Sequence, residues 1–401
     1  MTERILERIV ATTDVHSQLG EVRPLLAGLH RARRDALVVD CGDFFEGTGY
    51  YSLGQGRIET EILVSLFDLL APGNHGWRHH LQPGLREMTV CANVVEESSG
   101  EALFRHLHRT IIGGRRVAVT AVIGEQAFAA IPVGERAGHY VIDPASALTD
   151  VWKKHHREVD AWVLLSHSGF DHDLRLAEAC PFLDVIFAGH CHSERHGPER
   201  VGSTIVVKGP ELAAGFSTAV PTRTSWRANT ARFEHVDTLP ASLESFGRQV
   251  ELLRDELATP LGPLDHSWRG RALDRGAVLE QVARHLGADE ASAVVILNES
   301  ALRQVYLRQV LTIDDLLAVE PFGNRIVHAQ VAPGIGLSDL LAEFEERSGL
   351  LVVEPRPAPS WVTSVLTTNY LAETLPVASA PTTVLELSQA VRHVLCSEVT
   401  P

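Results

Sequence analysis

The sequence has no excess of basic residues. It carries 36 Lys and Arg against 51 Asp and Glu, so the formal net charge is -15. A surface that binds nucleic acid non-specifically needs clustered lysine and arginine side chains, and we therefore expect no nucleic-acid polymer as a partner. A small anionic substrate stays compatible with this charge, because a local site can oppose the global sign.

Cysteines and long apolar runs are also scarce. The five cysteines are odd in number and scattered, which is not typical of a disulfide framework. Residues 1–7 include acidic residues and lack the apolar core of a signal peptide. No stretch approaches the roughly 20 apolar residues of a membrane span. These absences predict a cytoplasmic protein without a membrane partner.

The chain is long enough for two or three domains, with 401 residues. Strand-like and helix-like segments alternate, which predicts the α/β class with a parallel or mixed sheet covered by helices. The alternation breaks near residue 240, where a connecting helix follows. We predict a first domain over 1–240, a linker helix over 241–260 and a smaller α/β domain over 261–401. Within the first domain, residues 88–94 are predicted to form a buried strand.

Five strand-like segments of the first half end in the same way, because Asp, Asn or His follows the apolar run at once. Ligands of an open α/β sheet bind outside the carboxyl ends of its strands, so these side chains are expected at one edge. They are Asp14, His16, Asp43, Asn74, His167, His190 and His192.

This set holds two carboxylates, one amide oxygen and four imidazoles. Asp14-x-His16 and His190-x-His192 each place two ligands on the same side of an extended chain. Mixed oxygen and nitrogen ligands suit Mn, Zn, Fe, Co or Ni. Seven groups exceed the four ligands of a tetrahedral zinc, but they are enough for two ions that share a bridging carboxylate. A single histidine is more often a surface or core residue, so the prediction rests on the joint occurrence at five strand ends.

The same segments resemble, in order, the motifs of the calcineurin-like metallophosphoesterase family over residues 8–210. They are Asp14-Val15-His16, Gly42-Asp43, Gly73-Asn74-His75, Ser166-His167-Ser168-Gly169 and Gly189-His190-Cys191-His192. The resemblance implies a four-layer αββα sandwich with two divalent metal ions bridged by Asp43. It further implies that His75 stabilises or protonates the leaving group. The implied ligands are Asp14, His16 and His192 for one ion and Asn74, His167 and His190 for the other.

Arg78 departs from the family. Members that resemble 5'-nucleotidases read Gly-Asn-His-Glu-Phe-Asp, whereas this chain reads Gly73-Asn74-His75-Gly76-Trp77-Arg78. The Asp that would orient the catalytic His is thus replaced by a cation, which lowers rather than raises a histidine pKa. Either another acid assists His75, or Arg78 contacts the phosphate; a solvated surface arginine is an equally good interpretation. We therefore retain Arg78 beside His75 as a catalytic candidate.

The second half resembles the C-terminal domain of 5'-nucleotidases over residues 261–400. The blocks concerned are Asn298-Glu299-Ser300-Ala301-Leu302-Arg303, Pro321-Phe322-Gly323-Asn324 and Thr367-Thr368-Asn369-Tyr370-Leu371-Ala372. The resemblance implies a nucleobase sandwiched between Phe322 and Tyr370, with Asn298 on the base or sugar. It also implies that Arg269 and Arg303 contact sugar and phosphate oxygens.

Two departures concern sugar recognition. The family's Gly-Gly-Asp-Gly loop reads Glu373-Thr374-Leu375-Pro376, so the Asp that would hold the ribose hydroxyls is absent. Ser300-Ala301 replaces a Gly-Gly pair, which leaves less room for close backbone approach. These changes predict an unusual nucleotide substrate, one with a modified or missing ribose diol.

The sequence as a whole predicts a dinuclear-metal phosphomonoesterase of 5'-nucleotidase type. Its substrate is expected to be a small phosphoester, a nucleoside monophosphate or a modified nucleotide. Relatives of this type usually carry a secretion signal, which residues 1–7 do not resemble, so we expect a biosynthetic role inside the cell. Two alternatives stay open. One is a phosphodiesterase of cyclic or sugar nucleotides that uses the same metals. The other is a catalytically impaired nucleotide-binding protein, which Arg78 favours. The sequence indicates no oligomeric state.

Overall fold

The structure is a computed structural model and describes residues 4–289, 293–357, 359, 362–375, 377 and 379–396. The chain divides into two compact units, Met1–Leu253 and Arg254–Pro401, called unit 1 and unit 2 below. The division falls inside a helix, Glu244–Leu257, which lies within the predicted linker over 241–260. Phe246 and Val250 of this helix are buried in a core of unit 1.

The strands of unit 1 are β1 Arg8–Thr12, β2 Ala36–Asp40, β3 Leu69–Leu70, β4 Val94–Glu96, β5 Leu107–Ile112, β6 Arg115–Ile123, β7 His139–Val141, β8 Ala161–His167, β9 Val185–Ala188, β10 Glu199–Val201, β11 Thr204–Val207, β12 Gly215–Pro221 and β13 Trp226–Arg232. One sheet has the order β13-β12-β1-β2-β3, in which β1, β2 and β3 are parallel. A second sheet has the order β10-β11-β9-β8-β6-β5, in which β6, β8, β9 and β11 are parallel. The parallel strands of each sheet therefore end at a common edge.

The helices of unit 1 are α1 Val22–Ala32, α2 Gly49–Gly54, α3 Arg57–Leu66, α4 Trp77–His80, α5 Pro83–Met88, α6 Glu125–Ala130, α7 Val133–Arg136, α8 Pro144–His155 and α9 Phe170–Ala179, followed by the 3-10 helix Ala241–Leu243 and by α10 Glu244–Leu257, which crosses the division. Helix α8 shows how local sequence sets a boundary. Asp143 accepts a hydrogen bond from the Ser146 N–H as its N-cap, and Pro144 occupies the first helical position.

No helix in the described ranges combines the length and the apolar character needed to cross a bilayer.

Alternate residues of the strands face different layers of unit 1. Ile9 and Ala11 of β1 pack with Val163 of β8 between the two sheets. Val10, which points the other way, packs with Leu26 of α1 on the outer face of the first sheet. Helices α8 and α9 cover the outer face of the second sheet in the same manner. The order of layers is helix, sheet, sheet, helix, which confirms the predicted αββα sandwich.

The predicted buried strand over residues 88–94 is wrong. Helix α5 begins at Pro83 and ends at Met88, and β4 begins only at Val94. Thr89 and Val90 between them form single bridges with Leu70 and Arg105. The apolar composition of this segment reflects its burial, but it has too few consecutive backbone pairs to form a ladder.

The strands of unit 2 are β14 Pro260–Pro263, β15 Arg271–Ala272, β16 Val294–Asn298, β17 Tyr306–Leu307, β18 Val310–Thr312, β19 Arg325–Gln330, β20 Leu351–Glu354, β21 Ser364–Thr368 and β22 Thr382–Glu386; its helices are α11 Arg275–Asp289, α12 Ile313–Val319, α13 Leu337–Ser348, α14 Asn369–Ala372 and α15 Leu387–Leu395. The central sheet has the order β20-β16-β21-β19-β22, and β16 and β21 are parallel. Helices α11 and α15 pack on one face and α13 on the other. This is the predicted smaller α/β domain.

Candidate metal centre

The seven predicted ligands of unit 1 follow strands that end at a common edge. Asp14 and His16 follow β1, Asp43 follows β2 and Asn74 follows β3, all in the first sheet. In the second sheet, His167 is the last residue of β8, and His190 and His192 follow β9. The structure brings all seven together, because each sheet delivers its strand ends to the same site.

The first group consists of Asp14, His16 and His192. The Nε2 atoms of the two histidines lie 3.2 Å apart, and each lies about 4 Å from Asp14 Oδ1, at 4.0 Å for His16 and 3.9 Å for His192. One ligand atom from each residue can therefore reach a common centre. Asp14 itself is fully buried.

The second group consists of Asp43, Asn74, His167 and His190. His167 Nε2 lies 3.3 Å from Asp43 Oδ2 and 3.2 Å from Asn74 Oδ1, and His190 Nδ1 lies 3.0 Å from the same Asn74 oxygen. Asp43 Oδ2 is also 3.7 Å from His16 Nε2 of the first group. The Asp43 carboxylate thus lies between the two groups.

Burial and mutual charge shape the protonation of the site. Burial lowers the pKa of both His16 and His190 to about 4. These imidazoles are therefore uncharged at neutral pH, and each keeps a nitrogen lone pair that can bind a metal ion. Burial acts to raise the pKa of Asp43, but the charge and the hydrogen bond of His167 hold it below its usual range. Conversely, burial acts to lower the pKa of His167, and the Asp43 carboxylate raises it to about 9.

This donor set fits divalent metal ions. Buried carboxylates need a positive partner. His167 supplies one to Asp43, whereas burial raises the pKa of Asp14 despite the charge of His167. Neutral imidazoles, carboxylates and an amide oxygen that converge on two adjacent centres are ligands for borderline transition metals. A divalent cation would neutralise the same two carboxylates.

The backbone is unusual at the ligands. Asp14, His16, Asp43 and His190 all have positive φ, at 50°, 50°, 59° and 77°. The left-handed region is uncommon for residues other than glycine, although Asp and His tolerate it better than most. Such conformations cluster at functional sites, where they aim side chains that a regular strand would direct elsewhere.

Groups behind two of the histidines select the tautomer. His167 Nδ1 lies 2.8 Å from the Cys41 carbonyl oxygen, so Nδ1 carries the proton and Nε2 faces Asp43 and Asn74. His192 Nδ1 lies 2.8 Å from a Glu211 carboxylate oxygen. Such outer partners orient the ligands of metal sites and raise their basicity. The sequence gives no signal for Glu211, because 19 residues separate it from His192 and no motif links them.

His75 lies beside the two groups with a carboxylate as its partner. Its Nδ1 is 2.9 Å from Glu46 Oε2, and its backbone N–H donates to Asp43 Oδ1 at 2.8 Å. Burial acts to lower the pKa of His75, but the hydrogen bond to Glu46 and the charge of Asp43 raise it above its ordinary value. Arg78 is exposed and donates to the Tyr51 hydroxyl at 2.8 Å. The sequence leaves open whether another acid assists His75, and the structure identifies Glu46.

Four of the five predicted substrate residues lie at one edge of the unit 2 sheet. Asn298 ends β16, Tyr370 follows β21, and Phe322 precedes β19, which is antiparallel to β21. The Arg303 guanidinium lies over the Phe322 ring at 5.4 Å. Arg269 is placed elsewhere, in the turn before β15, where its Nε donates to the Leu264 carbonyl.

The predicted substrate residues at this edge differ in their burial and in their contacts. Asn298 is buried, and its amide donates to the Ser300 hydroxyl and accepts from the Thr368 hydroxyl, so it holds parts of this edge together. Phe322 and Tyr370 are 54% and 39% exposed, so both rings are available for stacking. Arg347, which no sequence motif indicates, lies over the Tyr370 ring at 4.3 Å.

Comparison with known proteins finds similarity that lies mainly in unit 1. The family model described as calcineurin-like phosphoesterase matches residues 7–194. The chain is similar to an apyrase from Anopheles gambiae, with 30% identity over 176 residues, 40% of this chain and 30% of the relative. It is also similar to a 5'-nucleotidase from Bos taurus, with 25% identity over 220 residues, 46% of this chain and 38% of the relative. The matched regions span only about a third of these relatives.

A solved structure shares the fold over nearly the whole chain. This is the 5'-nucleotidase precursor from Thermus thermophilus, with a TM-score of 0.66 and 17% identity, covering 97% of this chain and 96% of that one. At this identity the likeness concerns the fold of both units rather than the substrate.

Proposed function

We propose that the protein is a metal-dependent phosphomonoesterase that removes the 5'-phosphate from a nucleotide or a modified nucleotide, because residues 7–194 match the calcineurin-like phosphoesterase family model. The observation that carries the proposal is the position of Asp43. Its carboxylate lies between two groups of ligands, 3.7 Å from His16 Nε2 and 3.3 Å from His167 Nε2. A shared carboxylate between two donor sets is the arrangement that two-metal phosphatases need.

We propose two ions from the set Mn, Zn, Fe, Co and Ni. The residues that would hold them are Asp14, His16 and His192 for one and Asn74, His167 and His190 for the other, with Asp43 shared. When bound, such ions supply a nucleophile at neutral pH and neutralise charge on the phosphoryl oxygens. The Cys41 carbonyl and Glu211 keep their histidines in the ligating tautomer.

His75 is the residue that we place beside the leaving group of the substrate. Its Nδ1 is engaged by Glu46, so its Nε2 is the nitrogen that can meet a substrate. The side chain is 38% exposed and its ring packs edge-on against His16, with centroids 4.9 Å apart. A positioned imidazole can donate a proton to a departing oxygen, which typically contributes about 10²–10⁴-fold to the rate.

Unit 1 also offers space for a small anionic substrate. A cavity of about 620 Å³ lies beside His190 and includes Arg175 and Ser168 in its lining. That volume is in the range of small-molecule sites. The Arg175 guanidinium in this lining supplies positive charge and planar hydrogen-bond donors, both of which favour phosphate oxygens.

Unit 2 supports the nucleotide part of the proposal. Two half-exposed rings, Phe322 and Tyr370, lie at one edge of its sheet, and stacking on aromatic rings accepts any base. Asn298 is already hydrogen-bonded within the edge, and the sequence lacks the family's Asp for the ribose hydroxyls. The relatives that carry the name 5'-nucleotidase agree with a nucleotide, whereas these departures favour one with an altered sugar.

The decisive test is phosphate release by metal-stripped protein after addition of Mn, Co, Zn or Mg. The substrates are ribonucleoside monophosphates, monophosphates with a modified or missing ribose diol, and bis-p-nitrophenyl phosphate as a diester. Asp43→Ala is the inactive variant, and Asp150→Ala, on the exposed face of α8, is its matched control. We expect metal-dependent release from monoesters that Asp43→Ala abolishes and Asp150→Ala retains.

Other results would change the proposal. Faster hydrolysis of the diester would replace the monoesterase with a phosphodiesterase. Strong preference for unmodified AMP or UMP would overturn the altered-sugar part alone. Binding of two ions without turnover of any substrate would support the nucleotide-binding alternative.

A further inference from the structure

Helix α4 presents one charged side chain to solvent beside His75. The helix begins at Trp77, two residues after His75, and it buries Trp77, His79 and His80. Arg78 is the exposed member of its four residues. Three buried side chains therefore fix the helix, and one guanidinium is left at the surface.

The position of this guanidinium is fixed by a chain of side chains. Arg78 donates to the Tyr51 hydroxyl at 2.8 Å, and its Cζ lies 6.0 Å from the centre of the Tyr51 ring. The same hydroxyl lies 2.9 Å from His79 Nε2. Burial lowers the pKa of His79 to about 4, so the ring is uncharged and this nitrogen can accept the Tyr51 proton. His79 in turn stacks on Phe45, with ring centroids 4.2 Å apart.

Most of the hydrogen-bonding capacity of Arg78 is unused. A guanidinium has five N–H donors, and the structure gives one of them an acceptor, the Tyr51 hydroxyl. The charges of Glu46 and Glu135 act on Arg78 from a distance, but in the described ranges neither forms an ion pair with it. Glu46 has its own partner in His75. An exposed guanidinium with a fixed position and free donors suits a phosphate, which it can bind through two parallel hydrogen bonds.

Arg78 lies on the side of the metal centre where we place the leaving group. It follows His75 by three residues. Burial acts to raise the pKa of Glu46, whereas the hydrogen bond to His75 and, more weakly, the charge of Arg78 lower it. No hydrogen bond or ion pair joins Arg78 to any of the seven predicted ligands, all of which the structure describes. The guanidinium is therefore placed to meet the departing part of the substrate rather than the phosphate at the metal centre.

From this geometry we propose that Arg78 is a specificity-determining residue that binds a second phosphate, carried by the leaving group of the substrate. The proposal rests on the proposed phosphomonoesterase function and names its substrate class, a nucleotide with one phosphate for the metal centre and another for Arg78. A phosphate on the 2'- or 3'-oxygen of the ribose removes the free diol, which agrees with the altered sugar proposed above. The other source of the same chemistry is a 5'-diphosphate, because its leaving group after loss of the terminal phosphate is a monophosphate.

Initial rates on a set of phosphates of one nucleoside test the role of Arg78. The set contains the 3',5'-bisphosphate, the 2',5'-bisphosphate, the 5'-diphosphate and the 5'-monophosphate. In the wild type, kcat/KM for one of the ribose bisphosphates should exceed that for the monophosphate by about 10–100-fold, the effect of hydrogen bonds to a charged group. Arg78→Met should lose this preference and keep kcat/KM for the monophosphate within about three-fold of the wild type.

Three further variants separate recognition of the second phosphate from a structural effect. Arg78→Lys keeps the charge without the planar fork and should retain part of the preference. Tyr51→Phe removes the hydroxyl that holds the guanidinium and should weaken the preference less than Arg78→Met does. Arg34→Met is the matched control, since Arg34 is an exposed arginine before β2, at the opposite end of that strand from Asp43. It should match the wild type on every substrate, and all these variants should keep the wild-type metal content.

A second measurement does not depend on turnover. Phosphonate analogues, in which a methylene group replaces the scissile ester oxygen, are titrated by calorimetry into protein with metal bound. The analogue that also carries a phosphate on the 2'- or 3'-oxygen should bind the wild type about 10–100-fold more tightly than the analogue without it. Arg78→Met should bind both analogues with similar affinity.

Two outcomes would overturn the role of Arg78. One is an equal kcat/KM of the wild type for the monophosphate and for every substrate with two phosphates. The other is an equal loss on every substrate in Arg78→Met, which would assign the arginine to the scissile phosphate. A preference for the 5'-diphosphate that Arg78→Met removes would support the role and place the second phosphate on the 5' side.

Failure of the proposed function is distinguishable from failure of this role. If the wild type hydrolyses no phosphoester, the proposed function fails. The difference in affinity between the two analogues still decides whether Arg78 binds a second phosphate.

Discussion

His192 Nδ1 lies 2.8 Å from the carboxylate of Glu211, so this ligand is held from behind by a residue far from it in sequence. Lys208, which is fully buried, binds the other Glu211 oxygen and also donates to the carbonyls of Cys191 and Ser193 at 2.6 and 2.7 Å. One buried lysine therefore ties Glu211 to both residues that flank His192. This explains how an otherwise exposed histidine keeps its place.

Glu211→Gln tests this support. The change keeps the size of the side chain and removes its charge, so His192 loses the carboxylate that orients it and we expect about 10–100-fold weaker metal binding. The measurement is metal content during competition with a chelator. Glu194→Gln, at an exposed glutamate on the loop that carries His192, should bind metal as the wild type does. If both variants retain as much metal as the wild type, Glu211 does not assist His192 in binding it.

Gly73→Ala should displace the bridging carboxylate. A Cβ at Gly73 would overlap Asp43 Oδ1 and approach the Asp43 backbone nitrogen. Because Asp43 lies between the two ligand groups, we expect loss of metal from both, measured by elemental analysis after gel filtration. Gly84→Ala is the matched control, since a Cβ there meets nothing within 4 Å. Full metal content in Gly73→Ala would show that Asp43 can move without harm.

Asp173 predicts a pH effect on stability. Burial raises its pKa to about 8 from an ordinary 3.8, and the only described hydrogen bond of its carboxyl group is the one that Oδ1 accepts from Ser166. Between pH 3.8 and about pH 8 the folded state keeps the proton of Asp173, whereas the unfolded state has lost it. The free energy of unfolding should therefore fall by about 1.4 kcal/mol per pH unit as the pH rises through this range.

Asp173→Asn cannot ionise and should not show this loss. We would measure Tm by calorimetry of chelator-treated protein at pH 5 and pH 8. The Tm of Asp173→Asn should be higher, relative to that of the wild type, at pH 8 than at pH 5. Asp171→Asn, an exposed change on the same helix, should alter Tm equally at both pH values. A constant difference between Asp173→Asn and the wild type would argue against a raised pKa.

The exposed rings of unit 2 give a substrate-specific prediction. Stacking of a base on an aromatic ring contributes about 1–3 kcal/mol, so Phe322→Ala or Tyr370→Ala should raise KM for a nucleoside monophosphate by roughly 10-fold or more. Neither should change KM for glycerol phosphate, which has no aromatic ring to stack. Tyr306→Ala, at a ring that is 61% exposed in the same unit, is the control. A rise in KM for both substrates would exclude base stacking as the cause.

Much of the fold and the ligand set could be predicted from local patterns. Runs such as 161–165 are continuously apolar because parallel strands in a covered sheet are buried on both faces. Polar side chains that follow such runs are confined to the strand ends, which places Asp14, Asp43 and His167 at one edge. The segment 88–94 resembles a strand in sequence because burial alone makes a run apolar, whatever its backbone pairing.

The supporting residues could not be predicted in the same way. Glu46 faces His75 because its backbone is left-handed and Gly76 allows close approach. Glu211 meets His192 through a turn in which Leu212 and Ala213 also have positive φ. Arg347 covers Tyr370 from a different helix.

The sequence by itself therefore determined the α/β class and the seven candidate metal ligands, since both follow from short-range periodicity and from what lies at strand ends. The four-layer order was implied only by the resemblance to a known family. Only the tertiary structure decided which carboxylate supports which histidine and which ring meets which arginine. Those pairings depend on the distance between backbones far apart in the chain, and no local pattern encodes that distance.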